Sequence, residues 1–388
     1  MERCFYPHSF YTLEAADEAK QKQATSTSSS SYLKRRKQRR PQQDEKPAFI
    51  KSMAHLKEQF IHPTSGYFCY ETLLKEDIQT RFDWRQVPFA CTAQGGRLPQ
   101  ERVQRKTTQI ENILELCIIF LSHLTAVNTT VNDSVKVVEF CAGSGFVLLP
   151  LAAKFPKVSF ILLDRKEKSV QIGRERIREA NLKNVTIFTG DVRSYKEDFH
   201  LGIALHACGI ASDLSLQSCI ASRAAFVCAP CCIGKILLDR HEALSTAFRK
   251  TIDKDDFKYL VKAGDFGHSL EEITQHGEHI CSFRRMAKSY IEEDRRLYAV
   301  ENKYSSYITT MFPPGSTPKD DILIGWPNRD ASCFECNYGG INSKNTTNYN
   351  DNGTTSKSKK MSYNSKLYDE FDGKIFENHL MGGESLFE

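Results

Sequence analysis

Five short apolar runs follow one another between residues 135 and 230: VKVVEF (135–140), VSFILLD (158–164), NVTIFTGD (184–191), LGIALHACG (201–209) and RAAFVCAP (223–230). Short continuous runs of this kind, rather than alternating ones, suit strands covered on both faces. Helical material lies between several of them, including VLLPLAAKF (147–155), with Pro150 in its first turn, and the charged KEKSVQIGRERIREAN (166–181). Strands alternating with helices predict an α/β fold with a parallel, doubly wound sheet. Ahead of them, LPQERVQRKTTQIENILELCIIFLSHL (98–124) carries apolar residues at helical spacing.

The pattern changes after the fifth run. The helical FRRMAKSYIEEDRRLYAVEN (283–302) leads into YSSYITTMF (304–312), a Pro/Gly turn and DILIGW (321–326). Two strands without a helix between them predict a closing antiparallel pair. Five parallel strands followed by such a pair is the order expected of a Rossmann-like class I methyltransferase, with a mostly parallel seven-stranded sheet. Nicotinamide-binding Rossmann domains instead add a sixth parallel strand.

The flanks have a different composition. Residues 21–46 hold STSSSSY, the basic run KRRKQRR (34–40) and PQQDEK, and residues 340–365 form a second polar, low-complexity tract. Neither can bury a core, so both read as flexible. Residues 1–60 hold 12 Lys and Arg against 7 Asp and Glu, leaving 41 of each elsewhere, so the formal net charge of +5 belongs to this arm. A neutral body argues against a general nucleic-acid surface on the fold. The arm itself reads as a solvated tail, a nuclear-import signal or an RNA-attracting segment. The expected divisions are a basic N-terminal segment (1–59), a lead-in with a helix (60–134), the methyltransferase-like domain (135–328) and a flexible tail (329–388).

Residues 1–20 lack a signal-type apolar core, and ILELCIIFLSHL (113–124) is about half the roughly 20 residues a bilayer span requires. Thirteen irregularly spaced cysteines in such a chain point to reduced thiols, with no disulfide-linked partner and no membrane association expected. The location that follows is the cytosol or the nucleus, with the 34–40 run as a route to the latter.

In open α/β sheets ligands bind beyond the carboxyl ends of the strands, near the point where strand order reverses. The first strand ends EFCAGSGF (139–146). Gly143 and Gly145 allow a tight turn and close approach of a ligand. Glu139, Gly143 and Gly145 fit the methyltransferase pattern, while Cys141 replaces its first glycine. The second strand ends in Asp164, placed to accept both hydroxyls of a ribose, or else to cap a helix. Asp191 ends the third strand and can accept from an adenine amino group or cap the next turn. His206, in LHACG (205–209), is a candidate general base or a packed histidine under the cofactor. The Asn/Asp-Pro-Pro-aromatic acceptor signature is absent there. Together these ends suggest S-adenosylmethionine as cofactor.

VVEFCAGSG, LHACGIASD, CAPCCIGK and TPKDDILIGWP, with LPQERVQRKTTQIEN (98–112) and DRRLYAVE (294–301), resemble the methyltransferase-like domain of the glutathione S-transferase C-terminal domain-containing protein family. The likeness covers about residues 60–328. It implies a Rossmann-like methyltransferase domain, S-adenosylmethionine as cofactor and a cytoplasmic protein. A cysteine stands in that family where Cys141 does, which sets Cys141 with Glu139, Gly143, Gly145, Asp164, Asp191 and His206 as cofactor-binding residues. The family's name refers to a glutathione-transferase-like helical region ahead of this domain. The segment before residue 60 is too short and polar to form it, so the chain reads as a shortened relative or an incomplete sequence. Glutathione chemistry is not inferred.

CAPCCIGK (228–235) leaves three readings open. Cys208, Cys228, Cys231, Cys232 and His206 stand near adjacent strand ends, but their spacing fits no paired CxxC metal pattern, and CFEC (333–336) is a lone pair. A thiolate nucleophile, activated by Lys235 or the next helix, would need the rest of a pyrimidine C5-methyltransferase pattern, which is missing. The leading reading is a wall of the acceptor pocket, with no metal and no assigned catalytic residue. The expected function is a methyltransferase acting on RNA or a protein. The alternative is a catalytically inactive methyltransferase fold serving as an RNA- or protein-binding scaffold.

Overall fold

The computed structural model describes residues 82–127, 134–265, 278–311, 317 and 319–328. The basic run 34–40, the tract at 340–365, CFEC (333–336) and the start of the lead-in lie outside the described residues. Two 3-10 turns, Trp84–Gln86 and Phe89–Cys91, precede α1 (Gln100–Val127). The core follows as β1 (Lys136–Phe140), α2 (Leu148–Lys154), β2 (Ser159–Asp164), α3 (Glu167–Glu179), β3 (Val185–Thr189), β4 (Leu201–Leu205), α4 (Ile210–Ala221) and β5 (Ala225–Ala229). It ends with α5 (Thr246–Thr251), α6 (Lys254–Gly264), α7 (Glu278–Glu301), β6 (Tyr304–Thr310) and β7 (Asp321–Pro327).

All seven strands form one sheet, ordered β3-β2-β1-β4-β5-β7-β6. The first five are mutually parallel, with Val137 opposite Phe160 on one side and Leu201 on the other. β7 runs antiparallel between β5 and β6. This is the expected sheet with its closing antiparallel pair. The chain reverses direction of growth between β1 and β4, so the carboxyl ends of these two strands flank the crevice.

The continuous apolar runs are explained by burial on both faces. Val137 joins one core cluster with Leu114, Phe120, Leu149 and Leu162, while Val138 and Phe140 join another with Leu163, Phe199, Leu216 and Tyr304. Helix α1 lies against β4 and β5 and contributes Ile110, Ile113, Leu114, Cys117, Phe120, Leu121 and Leu124 to the first cluster. Residues 90–124 and the strands after 135 therefore share one core. Because α1 is a single helix of 28 residues, it is long and apolar enough to cross a membrane by length and composition, correcting the shorter expectation. Half of its most apolar window is buried inside the fold.

Helix α7 buries a run of charged side chains. Lys288, Glu292, Glu293, Asp294, Arg295 and Arg296 are all buried. Arg295 pairs with Asp213 of α4 at 2.7 Å, and Arg240 joins Asp213 and Asp294 at 3.0 and 3.1 Å. Buried charges persist only when paired and hydrogen-bonded. This network locks α7 across α4 and the segment before α5.

Candidate functional site

Two non-glycine residues with positive φ mark the crevice: Cys141 (φ +52°), just after β1, and His206 (φ +66°), just after β4. Each such residue costs roughly 1–3 kcal/mol and persists where its surroundings demand it. After Cys141 the chain makes a tight loop in which the Gly145 N–H donates to the Ala142 carbonyl at 2.9 Å. Gly143 (φ +59°) and Gly145 (φ +78°) are both left-handed but face different surroundings. A Cβ on Gly145 would meet Leu162 Cδ1 at 2.9 Å and Leu149 Cγ at 3.0 Å, whereas one on Gly143 would meet nothing within 4 Å. Gly145 is packed; Gly143 borders open space.

Asp164 ends β2 and fastens this loop. Its Oδ2 accepts from the Gly143 N–H and its Oδ1 from the Lys166 N–H, both at 2.8 Å. Glu139 is buried in β1, and its Oε2 accepts from the Leu148 N–H at 3.0 Å, capping the amino end of α2. Burial pushes the Glu139 carboxyl up to about 7, against the Leu148 hydrogen bond and the Lys106 ammonium, which favour the ionised form. Asp191 follows β3 and caps the 3-10 turn Val192–Ser194 by accepting from the Arg193 N–H at 3.0 Å. Of its two expected roles, the cap is therefore filled.

The His206 ring is fixed by Gln109 of α1, whose Oε1 lies 2.9 Å from Nε2. Burial, helped by the Lys106 ammonium, holds its pKa down at about 4. His206 is thus a neutral, oriented ring, closer to the packed-histidine reading than to a base tuned near neutrality. Arg176, in the charged helix α3, is fully buried. Its guanidinium donates to the carbonyls of Ala90 (2.8 Å), Thr92 (3.0 Å) and Ser144 (2.7 Å), tying the 90–92 segment to the glycine loop. It also lies 4.7 Å from the centre of the Phe146 ring, and the Lys106 ammonium 5.3 Å from it.

Lys106, Gln109 and Arg176 were missed by sequence reasoning, because each lies in a helix whose pattern gave no sign of its direction. The available signal was a pair of polar residues, Lys106 and Gln109, in a helix otherwise turning apolar toward the core. Burial brings Lys106 down to about 8.

The thiols separate into two groups. Cys228 lies within β5, 3% exposed, and burial pushes it up to about 12. Cys208, Cys231 and Cys232 instead gather at the ends of β4 and β5, with Sγ atoms 3.4 Å (208–231) and 3.6 Å (231–232) apart. Hydrogen bonds from Cys208 and Cys231 hold Cys232 well below the ordinary thiol range, while Cys231 is pushed up. Lys235 and Lys319 supply positive charge nearby.

Comparison with known proteins places this chain beside methyltransferase domains. Residues 105–237, from the second turn of α1 to the 3-10 turn after β5, match a family described as a methyltransferase domain. The Drosophila melanogaster glutathione S-transferase C-terminal domain-containing protein homolog is 32% identical over 255 residues, covering 64% of this chain and 40% of that protein. The Homo sapiens glutathione S-transferase C-terminal domain-containing protein is 28% identical over 247 residues, 63% of this chain and 37% of that protein. The chain spans about two fifths of the length of the curated relatives it matches. Among solved structures, precorrin-6y C5,15-methyltransferase from Geobacter metallireducens GS-15 is similar at 11% identity with a TM-score of 0.28, over 55% of this chain and 87% of that one. The strand order, the glycine loop and the matched relatives lead to one assignment: this chain carries a methyltransferase-like domain, and that domain is similar to the one in the glutathione S-transferase C-terminal domain-containing proteins.

Proposed function

We propose that this domain binds S-adenosylmethionine and transfers its methyl group to an RNA or a protein. One observation carries the reading: Gly143 holds a left-handed backbone with open space where a side chain would stand, at the crevice between β1 and β4. A glycine is required there only by the backbone turn and by something that must approach it closely. When bound, S-adenosylmethionine supplies an activated methyl group on a sulfonium. The residues present suit it. Each Asp164 oxygen accepts one backbone N–H and keeps a second lone pair for a ribose hydroxyl. Asp191, at the next strand end, keeps one oxygen toward an adenine amino group. Glu139 shapes the loop from beneath by capping α2. Cys141 and His206 line the crevice between these ends, and Cys208 with the 230–232 turn stands on the acceptor side. The chain's part is to position and to exclude water, since the reactivity belongs to the cofactor. The basic run 34–40 supports an RNA or RNA-associated acceptor.

The scaffold alternative is favoured by a different observation: Glu139, Asp164 and Asp191 are all already engaged by backbone N–H groups, so the loop holds itself together without a ligand. Calorimetric titration of the full chain with S-adenosylmethionine tests the cofactor. Binding is expected, weakened at least ~10-fold in Asp164→Asn, whose single amide oxygen can serve only one of the two N–H groups. Absence of heat with folded protein would sink the cofactor reading. Binding without transfer of a tritiated methyl group to RNA or protein of a cell extract would leave the scaffold.

A further inference from the structure

We infer that Cys208, Cys231 and Cys232 form a tris-thiolate site for a thiophilic d10 cation of the zinc class, at the carboxyl ends of β4 and β5. The three Sγ atoms lie within 4.8 Å of one another, and two of the separations are 3.4 and 3.6 Å. A tetrahedral zinc with Zn–S bonds of about 2.3 Å sets its sulfurs about 3.8 Å apart. These two pairs therefore need to spread by only a few tenths of an ångström to receive the ion, and the third pair lies within 4.8 Å. Adjacent cysteines are poor chelators in an extended strand, where successive side chains point to opposite faces. Cys231 and Cys232 stand beyond the end of β5, in irregular backbone, and there both sulfurs turn to the same point.

The frame around the cluster is built independently of any ion. The Gly209 N–H donates to the Cys232 carbonyl at 2.6 Å, and the His206 N–H to the Ala229 carbonyl at 3.1 Å. These two bonds stitch the loop after β4 to the loop after β5, so Cys208 meets its partners through tertiary structure, 23 residues away in sequence. Cys208 is exposed and the other two are half-buried, which gives an ion a path from solvent. Cys228, Cys219, Cys117 and Cys91 are buried elsewhere and take no part. Three protein ligands are the number found in zinc centres that keep a fourth position for a ligand from solution. Three thiolates and one divalent cation carry a net charge of −1, and Lys235 and Lys319 are placed to offset it. Binding displaces the remaining thiol protons to solvent, one per sulfur that was protonated. This site does not depend on the methyltransferase reading, and metal content is measured without a methyl acceptor.

The test uses the full chain purified without chelator. Elemental analysis is expected to return one zinc per chain, retained through dialysis and lost in Cys208→Ala and in Cys232→Ala. Replacement by cobalt is expected to give sulfur-to-cobalt charge-transfer absorption. Because a variant can fail to fold, the wild-type chain is also alkylated with and without a chelator and read by mass spectrometry. Zinc is expected to shield Cys208, Cys231 and Cys232 together, and the chelator to expose all three. Three results would each overturn the site. One is a folded chain that takes up no zinc from metal-replete buffer. Another is zinc whose amount is unchanged in the folded triple alanine variant. The third is alkylation of Cys208, Cys231 and Cys232 that is the same with and without chelator.

Discussion

The two left-handed glycines of the loop after β1 make a paired test, because the same substitution should fail in two different ways. Gly143→Ala places a methyl group in open space, so its cost is the left-handed backbone alone, about 1 kcal/mol. Gly145→Ala carries that cost and also drives Cβ to 2.9 Å from Leu162 Cδ1 and 3.0 Å from Leu149 Cγ, in a core that has no slack. Overpacking of that kind adds about 1–3 kcal/mol, for a total near 2–4 kcal/mol. For a domain of roughly this size each kcal/mol lowers Tm by about 2–4 °C. Thermal unfolding followed by circular dichroism should therefore show a loss of about 3 °C for Gly143→Ala and about 6–12 °C for Gly145→Ala. Cofactor affinity should rank the other way. Calorimetry well below both transitions should find S-adenosylmethionine weakened at least ~10-fold by Gly143→Ala, about 1.4 kcal/mol, and within about threefold of wild type in Gly145→Ala. Equal losses of Tm would refute the packing distinction. Unchanged affinity in Gly143→Ala would show that the space above this glycine is not where a cofactor approaches.

Arg176→Leu should leave the carbonyls of Ala90, Thr92 and Ser144 without their donor, at about 3–5 kcal/mol in urea denaturation. Arg176→Lys should recover less than half of that, since one ammonium cannot span three acceptors held by a planar fork; a loss under about 1 kcal/mol in the leucine variant would contradict the staple. Glu139→Gln keeps an oxygen for the Leu148 N–H and removes the ionisation. The folded-state pKa is raised from 4.5 to about 7, so the Glu139 contribution to stability is fully present below pH 4.5 and is lost as pH rises through 7. The variant should escape that decline and exceed wild type at pH 8 by up to about 3 kcal/mol, with the gap closing below pH 4.5. Urea midpoints at pH 4, 6 and 8 check this, and a variant weaker than wild type at pH 8 would reverse the sign.

The sheet was legible in the sequence because its code is local. A run such as VSFILLD cannot be half exposed without wasting its apolar surface, so it demands helices on both sides, and Val137 and Val138 do enter opposite core clusters. Gly143, Gly145 and Asp164 were legible for a similar reason: each stands where a strand ends and the topology leaves a crevice. Long-range packing decided the rest. Glu139 belongs to the glycine pattern, yet its direction toward the Leu148 N–H depends on where α2 begins. Arg176 sits in a helix rich in charge, and it is buried because the 90–92 segment folds back over it. Lys106 and Gln109 reach the strand ends only because α1 lies across β4 and β5. CAPCCIGK looked like one cluster of thiols. The fold divides it, sending Cys228 into the core and joining Cys231 and Cys232 to Cys208 from another strand end. Periodicity and strand-end chemistry are written in neighbouring residues, whereas the direction of a buried polar side chain is set by partners distant in sequence, which only the packed sheet brings within reach.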